Sequence, residues 1–195
     1  MNAEHALKLK VILGSTREGR FSEIPGGWIV SEAGKRSDVS VELLDLRDYP
    51  MPFFEEPITP SSKKEPYKNK VVARWTKKIA EADAFVIIAP EYNHGYPAVL
   101  KNALDYVYQE WNNKPVAFVT YGSVMGARSV EQLRLVAIEL QMAPIRNAVH
   151  LPWDSVVAGR KDPATAFTAY TERAKVLLDQ LAWWGKALKT ARNSS

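Results

Sequence analysis

Phe85-Val86-Ile87-Ile88-Ala89, closed by Pro90, constrains this chain more than any other stretch. An unbroken apolar run does not alternate between core and water, so it reads as a strand buried on both faces, as at the centre of a parallel sheet. Glu91 to Tyr96 then form a polar loop, and Pro97 stands where the first turn of a helix tolerates a residue without an N–H. Val99, Ala103, Tyr106 and Val107 follow at helical spacing. Strand, loop and helix in this order put the loop at a strand's carboxyl end, the edge of an open α/β sheet where ligands bind.

The same alternation runs through the chain. Lys8–Leu13 reads as a strand, and a helix over about Ser22–Arg36 follows the loop Gly14–Ser22. Pro25-Gly26-Gly27 predicts an irregular start to that helix, because each glycine costs roughly 1 kcal/mol relative to alanine. Val39–Leu46 is an edge-ward strand. The stretch 47–69, with Pro50, Pro52, Pro57, Pro60 and Pro66, is irregular, and it reads equally as a lid bordering the site at Met51, Pro52 and Phe53 or as a surface excursion. Val71, Val72, Trp75, Ile79 and Ala82 mark a helix, Pro115–Tyr121 a strand, Val130, Leu133, Ala137 and Leu140 a helix, and Ile145–Leu151 a last strand. The tail 163–190 reads as one long amphipathic helix with a stripe of Phe167, Tyr170, Ala174, Leu177, Leu181, Trp184 and Leu188; Val176 and Trp183 lie off it. Right-handed βαβ wiring then predicts one α/β domain over 1–195. Its five-stranded parallel sheet has the order 2-1-3-4-5, with the ligand at the switch between strands one and three.

Composition narrows the chemistry. With no cysteine, disulfides, thiolate-held iron–sulfur clusters and thiol nucleophiles are excluded, so any redox work belongs to an organic cofactor. His5, His94 and His150 do not cluster with carboxylates at a metal-ligand spacing. The net charge of +4 is mild and scattered, which argues against a nucleic-acid partner and suits phosphorylated small molecules. No apolar run approaches the roughly 20 residues of a membrane span, and MNAEHALKLK lacks a leader's apolar core, so the expected location is cytoplasmic.

Three carboxyl-end loops carry the candidate chemistry. In 14–22, Ser15, Thr16 and Ser22 offer hydroxyls and Arg17 and Arg20 offer cationic forks before a helix N-terminus, a setting for a phosphate. Neither G-x-G-x-x-G nor G-x-x-x-x-G-K-[ST] occurs, so a monophosphate suits it better than a dinucleotide. In 90–95, Tyr92 and Asn93 could pack beside a ring and bond its polar edge. Glu91 reads as a catalytic acid or a solvated loop residue, and His94 as a structural or ring-edge group. In 121–126, Gly122 and Gly126 let the backbone approach a planar ligand. G-x-S-x-G is absent, which sets a serine hydrolase using Ser15 or Ser123 aside.

Pro90-Glu91-Tyr92-Asn93-His94-Gly95, with Pro97, Leu100-Lys101-Asn102-Ala103 and Asp105, resembles the flavin-contacting signature of the NAD(P)H-dependent FMN reductase family, whose fold is flavodoxin-like. The resemblance spans about Lys8 to Val149. It implies FMN with its phosphate on a GS-x-R-x-x-S-x-N type of loop. Ser15 and Arg17 match that pattern, Arg20 stands in place of the later Ser, and Ser22 stands in place of the Asn. The implied cofactor set is Ser15, Arg17, Arg20, Phe21 and Ser22, then Pro90, Glu91, Tyr92 and Asn93, then Tyr121, Gly122, Ser123 and Gly126. NADPH or NADH would give a hydride to the flavin, and electrons would pass to free flavin, a quinone, an azo compound or chromate. No catalytic side chain and no metal is implied. The resemblance further implies a homodimer or homotetramer, for which Tyr106, Tyr108, Trp111 and Trp183 offer apolar surface. An electron carrier of this fold is the competing class, disfavoured by the basic charge since such carriers tend to be acidic. A flavin-binding regulator without turnover is a third.

Overall fold

A computed structural model describes residues 6–194. His5 and most of the MNAEHALKLK segment's start lie outside the described residues. Five parallel strands, β1 (Leu7–Leu13), β2 (Val39–Asp45), β3 (Ala84–Pro90), β4 (Pro115–Tyr121) and β5 (Ala143–Leu151), form one sheet of order β2-β1-β3-β4-β5. Every residue of β3 and β4 is buried, while β2 and β5 mix buried and accessible positions as edge strands do. This is the doubly wound arrangement expected from the run at Phe85, and it brings the ends of β1, β3 and β4 side by side.

The helices are α1 (Glu23–Gly34), α2 (Lys70–Ala80), α3 (Ala98–Asp105), α4 (Ala127–Glu139), α5 (Trp153–Lys161) and α6 (Thr171–Asn193). One core joins α2, α3 and α4 to one face of the sheet around Trp75, Phe85, Trp111 and Phe118. The other packs α1, α5 and α6 on the opposite face around Phe21, Ile29, Val86 and Leu177. Asn69 caps α2, accepting from the N–H groups of Val71 and Val72 at 2.9 and 3.3 Å. A register shift between Val116 and Phe118 marks an irregularity in β5, where Gln180 Oε1 accepts the Asn147 N–H at 3.0 Å.

Several expectations are corrected. α1 starts cleanly at Glu23 with Pro25 buried in its first turn, because Gly26 is a packing residue: a Cβ there would lie 2.4 Å from Leu13 Cδ2. The tail is not one helix. A single 3-10 turn at Thr168–Tyr170 precedes α6, and Trp184 is 37% exposed because Leu178, Ala182 and Gly185 turn inward instead. α5 was not anticipated; its apolar face is only Val156 beside Ser155 and Gly159, too narrow to register as a stripe. Tyr106 and Trp111 are core residues at 2% and 0% exposure, so of the apolar surface expected for a subunit contact Tyr108 is half-buried and Trp183 is exposed at 65%.

The stretch 47–69 contains two 3-10 turns, Leu46–Asp48 and Pro60–Ser62, and is fastened along α3. Asn102 Nδ2 donates to Pro52 O at 2.8 Å and its Oδ1 accepts the Phe54 N–H at 2.9 Å, while Tyr106 and Tyr67 hydroxyls donate to Phe53 O and Tyr106 O. These bonds tie the backbone on both sides of Phe53 to α3 and its C-terminal Tyr106, beside loop 14–22.

Candidate active site

Loops 14–22, 90–95 and 121–128 meet at the carboxyl edge. Gly14 N–H donates to Ile88 O at 2.9 Å and the Ser15 hydroxyl meets the Tyr92 hydroxyl at 3.0 Å, joining the first loop to the second. Glu91 N–H donates to Tyr121 O at 2.9 Å, joining the second to the third. A cleft of about 290 Å³ runs from Thr16 and Arg47 past Met51 to Val99 and Asn102, so Met51 borders this region, whereas Phe53 projects to solvent at 79% exposure.

Loop 14–22 is an ordered turn. Ser15 and Ser22 are buried at 1% and 0% exposure, and Arg17 is exposed with its guanidinium unpaired among the described residues. Arg20, expected as a fork for phosphate, is instead a strut. Its side chain is 1% exposed, pairs with Asp45 and Glu23 and donates to Ser15 O, and the Asp45 contact first of all raises its pKa against the cost of burial. Phe21 is likewise in the core, edge-on to Tyr121 at 5.0 Å and to Phe167 at 6.2 Å. Neither residue presents its side chain to the cleft, for the plain reason that each already fills a buried position. Burial pushes the Tyr121 phenol's pKa up, with the nearby Ser22 hydroxyl pulling the other way. The Ser22 hydroxyl, though near that phenol, is buried without hydrogen-bonding geometry to any partner.

Loop 90–95 is a tight reversal. Tyr92 and Gly95 exchange backbone bonds of 2.8 and 3.0 Å around Asn93 and His94, whose φ values of 50° and 70° are those of a type I′ turn. Glu91 is neither a free acid nor solvated. Its side chain is 3% exposed and ion-paired with Arg128, which donates Nε to Oε1 at 2.5 Å and its N–H to Oε2 at 3.2 Å. Arg128 Nη1 also reaches His94 Nε2 at 2.6 Å. A guanidinium only donates, so His94 Nε2 is the acceptor in this contact. Arg128 was not anticipated, because its partner lies 37 residues away.

In the third loop Gly126 takes φ 73°, and a Cβ there would lie 2.6 Å from Thr120 Cβ. The Thr120 hydroxyl donates to Met125 O at 3.0 Å and accepts from His150 Nδ1 at 3.0 Å, pinning the turn; burial lowers the His150 pKa. Pro90 and Gly122 are buried and backbone-packed, while Tyr92, Asn93 and Ser123 are exposed at the rim. Among the described residues no group of three His, Cys, Asp or Glu is placed to hold a metal ion, and no helix is long and apolar enough to cross a membrane.

Comparison with known proteins shows the family and the fold. A family profile described as NADPH-dependent FMN reductase matches residues 7–154. An NAD(P)H-dependent FMN reductase of Schizosaccharomyces pombe is 42% identical over 171 residues, covering 86% of this chain and 85% of that protein. An NAD(P)H:quinone oxidoreductase of Solanum tuberosum is 30% identical, covering 73% of each. Among solved structures, the flavoenzyme NAD(P)H:(acceptor) oxidoreductase FerB of Paracoccus denitrificans superposes with a TM-score of 0.75 over 93% of this chain and 98% of FerB, at 19% identity, a likeness of fold. The profile match across three quarters of the chain and the 42% identity place it in the NADPH-dependent FMN reductase family, as a flavodoxin-fold, NAD(P)H-dependent flavin oxidoreductase.

Proposed function

We propose that FMN is held by the three loops, its phosphate against 14–22 and its ring between 90–95 and 121–126. The observation that carries this reading is the buried Ser22 hydroxyl without a hydrogen-bond partner at the start of α1. Leaving such a group unpaired costs about 1–3 kcal/mol, and a phosphate oxygen would relieve that cost. The N–H groups of Thr16, Arg17 and Glu18 also take no acceptor among the described residues, and the exposed Arg17 guanidinium adds a cation.

Bound FMN supplies the redox chemistry, taking a hydride from NADPH or NADH and returning electrons to a second substrate. The chain's part is positioning. Ser15, Arg17 and Ser22 bind the phosphate, and Tyr92 flanks the cofactor, tied to Ser15 through its hydroxyl. Asn93 and Ser123, rim residues with no side-chain partner among the described residues, bond the polar edge of the ring together with the backbone of Gly122. Arg20, Phe21, Glu91 and Gly126 act one step back, holding those loops in place. No side chain is assigned a proton-transfer role.

The second substrate is a small diffusible acceptor of quinone or flavin type, a reading supported by the quinone oxidoreductase of Solanum tuberosum. The protein works as a cytoplasmic homo-oligomer, where NAD(P)H is kept reduced. Apolar residues left on the surface, Leu135 at 70%, Ile138 at 62% and Trp183 at 65% exposure, support assembly. Light scattering checks the assembly: a particle of 21.9 kDa at micromolar concentration would refute it. Steady-state oxidation of NADPH and NADH with menadione or free FMN tests the activity. Parallel double-reciprocal lines are expected of two substrates using one site in turn, whereas flavin binding without nucleotide oxidation would make the protein a carrier or regulator.

A further inference from the structure

Three guanidinium groups from three parts of the chain hold the carbonyl oxygens of the phosphate loop. Arg20 Nη1 donates to Ser15 O at 2.5 Å. Arg47, just past β2, donates Nε to Thr16 O at 3.2 Å and Nη2 to Arg17 O at 2.6 Å. Arg160, from α5, donates Nη2 to Gly19 O at 3.0 Å. Arg20 and Arg47 are themselves fixed by carboxylates, Arg20 by Asp45 and Glu23 and Arg47 by Glu23. Arg160 has no carboxylate partner among the described residues and is placed by packing. α5 rests on Phe21, where a Cβ on Gly159 would come 3.0 Å from the ring, and the Arg160 guanidinium lies 5.8 Å from that ring's centroid.

In a planar trans peptide the C=O and the following N–H point to opposite sides. Bonds to Ser15, Thr16 and Arg17 carbonyls therefore turn the N–H groups of Thr16, Arg17 and Glu18 the other way. Gly19, at φ 59°, reverses the chain so that Arg20 N–H closes back on Arg17 O at 3.2 Å, and Arg160 holds that reversal through Gly19 O. Without it, the peptide that ends the loop is held only by the 3.2 Å bond from Arg20 N–H to Arg17 O, and the turn that follows the Thr16, Arg17 and Glu18 amides loses its second anchor.

We propose that Arg160 is a positioning residue for the flavin phosphate: with Arg20 and Arg47 it forms a collar that fixes the loop's carbonyls and so presents its amides to the phosphate, which Arg160 itself does not touch. This rests on the FMN reading above. Arg160 lies in α5, past residue 154, where the match to the family profile ends.

The test compares FMN with riboflavin, which lacks the phosphate, by flavin-fluorescence titration of the wild type, Arg160→Met and Arg160→Lys, with thermal midpoints measured alongside. Met keeps an apolar stem over Phe21 and loses the donor; Lys keeps the charge but not the fork. Arg160→Met should bind FMN about 5- to 10-fold more weakly and riboflavin as the wild type does, with Arg160→Lys in between, the size expected for one charge-assisted contact acting through the loop. Equal losses for both flavins would make Arg160 general scaffolding, no loss would remove it from the site, and full rescue by Arg160→Lys would reduce its role to charge; each overturns the proposal. A wild type that binds both flavins equally well overturns the phosphate reading itself, whereas a preference for FMN that Arg160→Met leaves undiminished overturns only the collar.

Discussion

Replacing Arg128 by methionine should show that one ion pair fastens two rims of the site. The Glu91 side chain is 3% exposed and that of Arg128 35%, so the variant leaves a buried carboxylate with the Arg128 backbone N–H, at 3.2 Å, as its remaining partner. Breaking a buried pair from one side costs about 3–5 kcal/mol, because the surviving charge is stranded. Arg128 lies partly in solvent and water can follow into its place, which lowers the expected loss to about 2 kcal/mol. For a chain of this size that is a fall of about 4–8 °C in the thermal midpoint. Loop 90–95 also loses its contact through His94, so FMN affinity should drop with stability. Urea unfolding of Arg128→Met, Glu91→Gln and the double variant isolates the pair. With neither charge buried, the double variant should be more stable than the summed single losses predict, by about 1–1.5 kcal/mol. A loss below about 0.5 kcal/mol in Arg128→Met, or additivity within that margin, would refute the reasoning.

Arg17→Ala should weaken FMN binding, with the loss shrinking in high salt as a solvent-exposed charge contact requires; an affinity unchanged at low salt removes Arg17 from the site. Gly126→Ala combines φ 73° with a Cβ 2.6 Å from Thr120 and should cost roughly 2–3 kcal/mol by urea titration, so a neutral result would mean the turn is not pinned as described. Burial alone would raise the Asp38 carboxyl, but Arg36 and Lys186 outweigh it and hold the pKa down at about 2. Such a carboxyl contributes stability that is complete above its unfolded pKa and lost as pH falls through the folded one. Asp38→Asn should therefore cost on the order of 1 kcal/mol at about neutral pH, with the gap closing between about pH 4 and 2; a gap independent of pH would contradict the assignment.

What could be read in the sequence was whatever local pattern decides. The apolar run at Phe85 marked a central strand, and the alternation of strand and helix suggested a flavodoxin-like order, which the sheet β2-β1-β3-β4-β5 bears out and which puts the three loops at one edge. What could not be read was set by partners distant in the chain. Arg20 looked available for phosphate because nothing nearby shows that Asp45 claims it, and Glu91 looked exposed because Arg128 lies far along the chain. Gly26 looked like a break because the Leu13 side chain that needs its space belongs to another element. Tyr106 and Trp111 looked like spare surface until α2 and the 47–69 stretch covered them, with Trp75 against Trp111 at 6.3 Å and Phe54 against Tyr106 at 5.2 Å.

The central claim is that this edge holds FMN as a working redox cofactor. The direct measurement is the visible spectrum of the protein loaded with FMN and desalted, then repeated without oxygen after NADPH and, separately, NADH. A retained flavin spectrum that bleaches with at least one nucleotide is the predicted result. Retained flavin that neither nucleotide bleaches would contradict the claim, as would the absence both of retained flavin and of nucleotide oxidation when free FMN is supplied in excess.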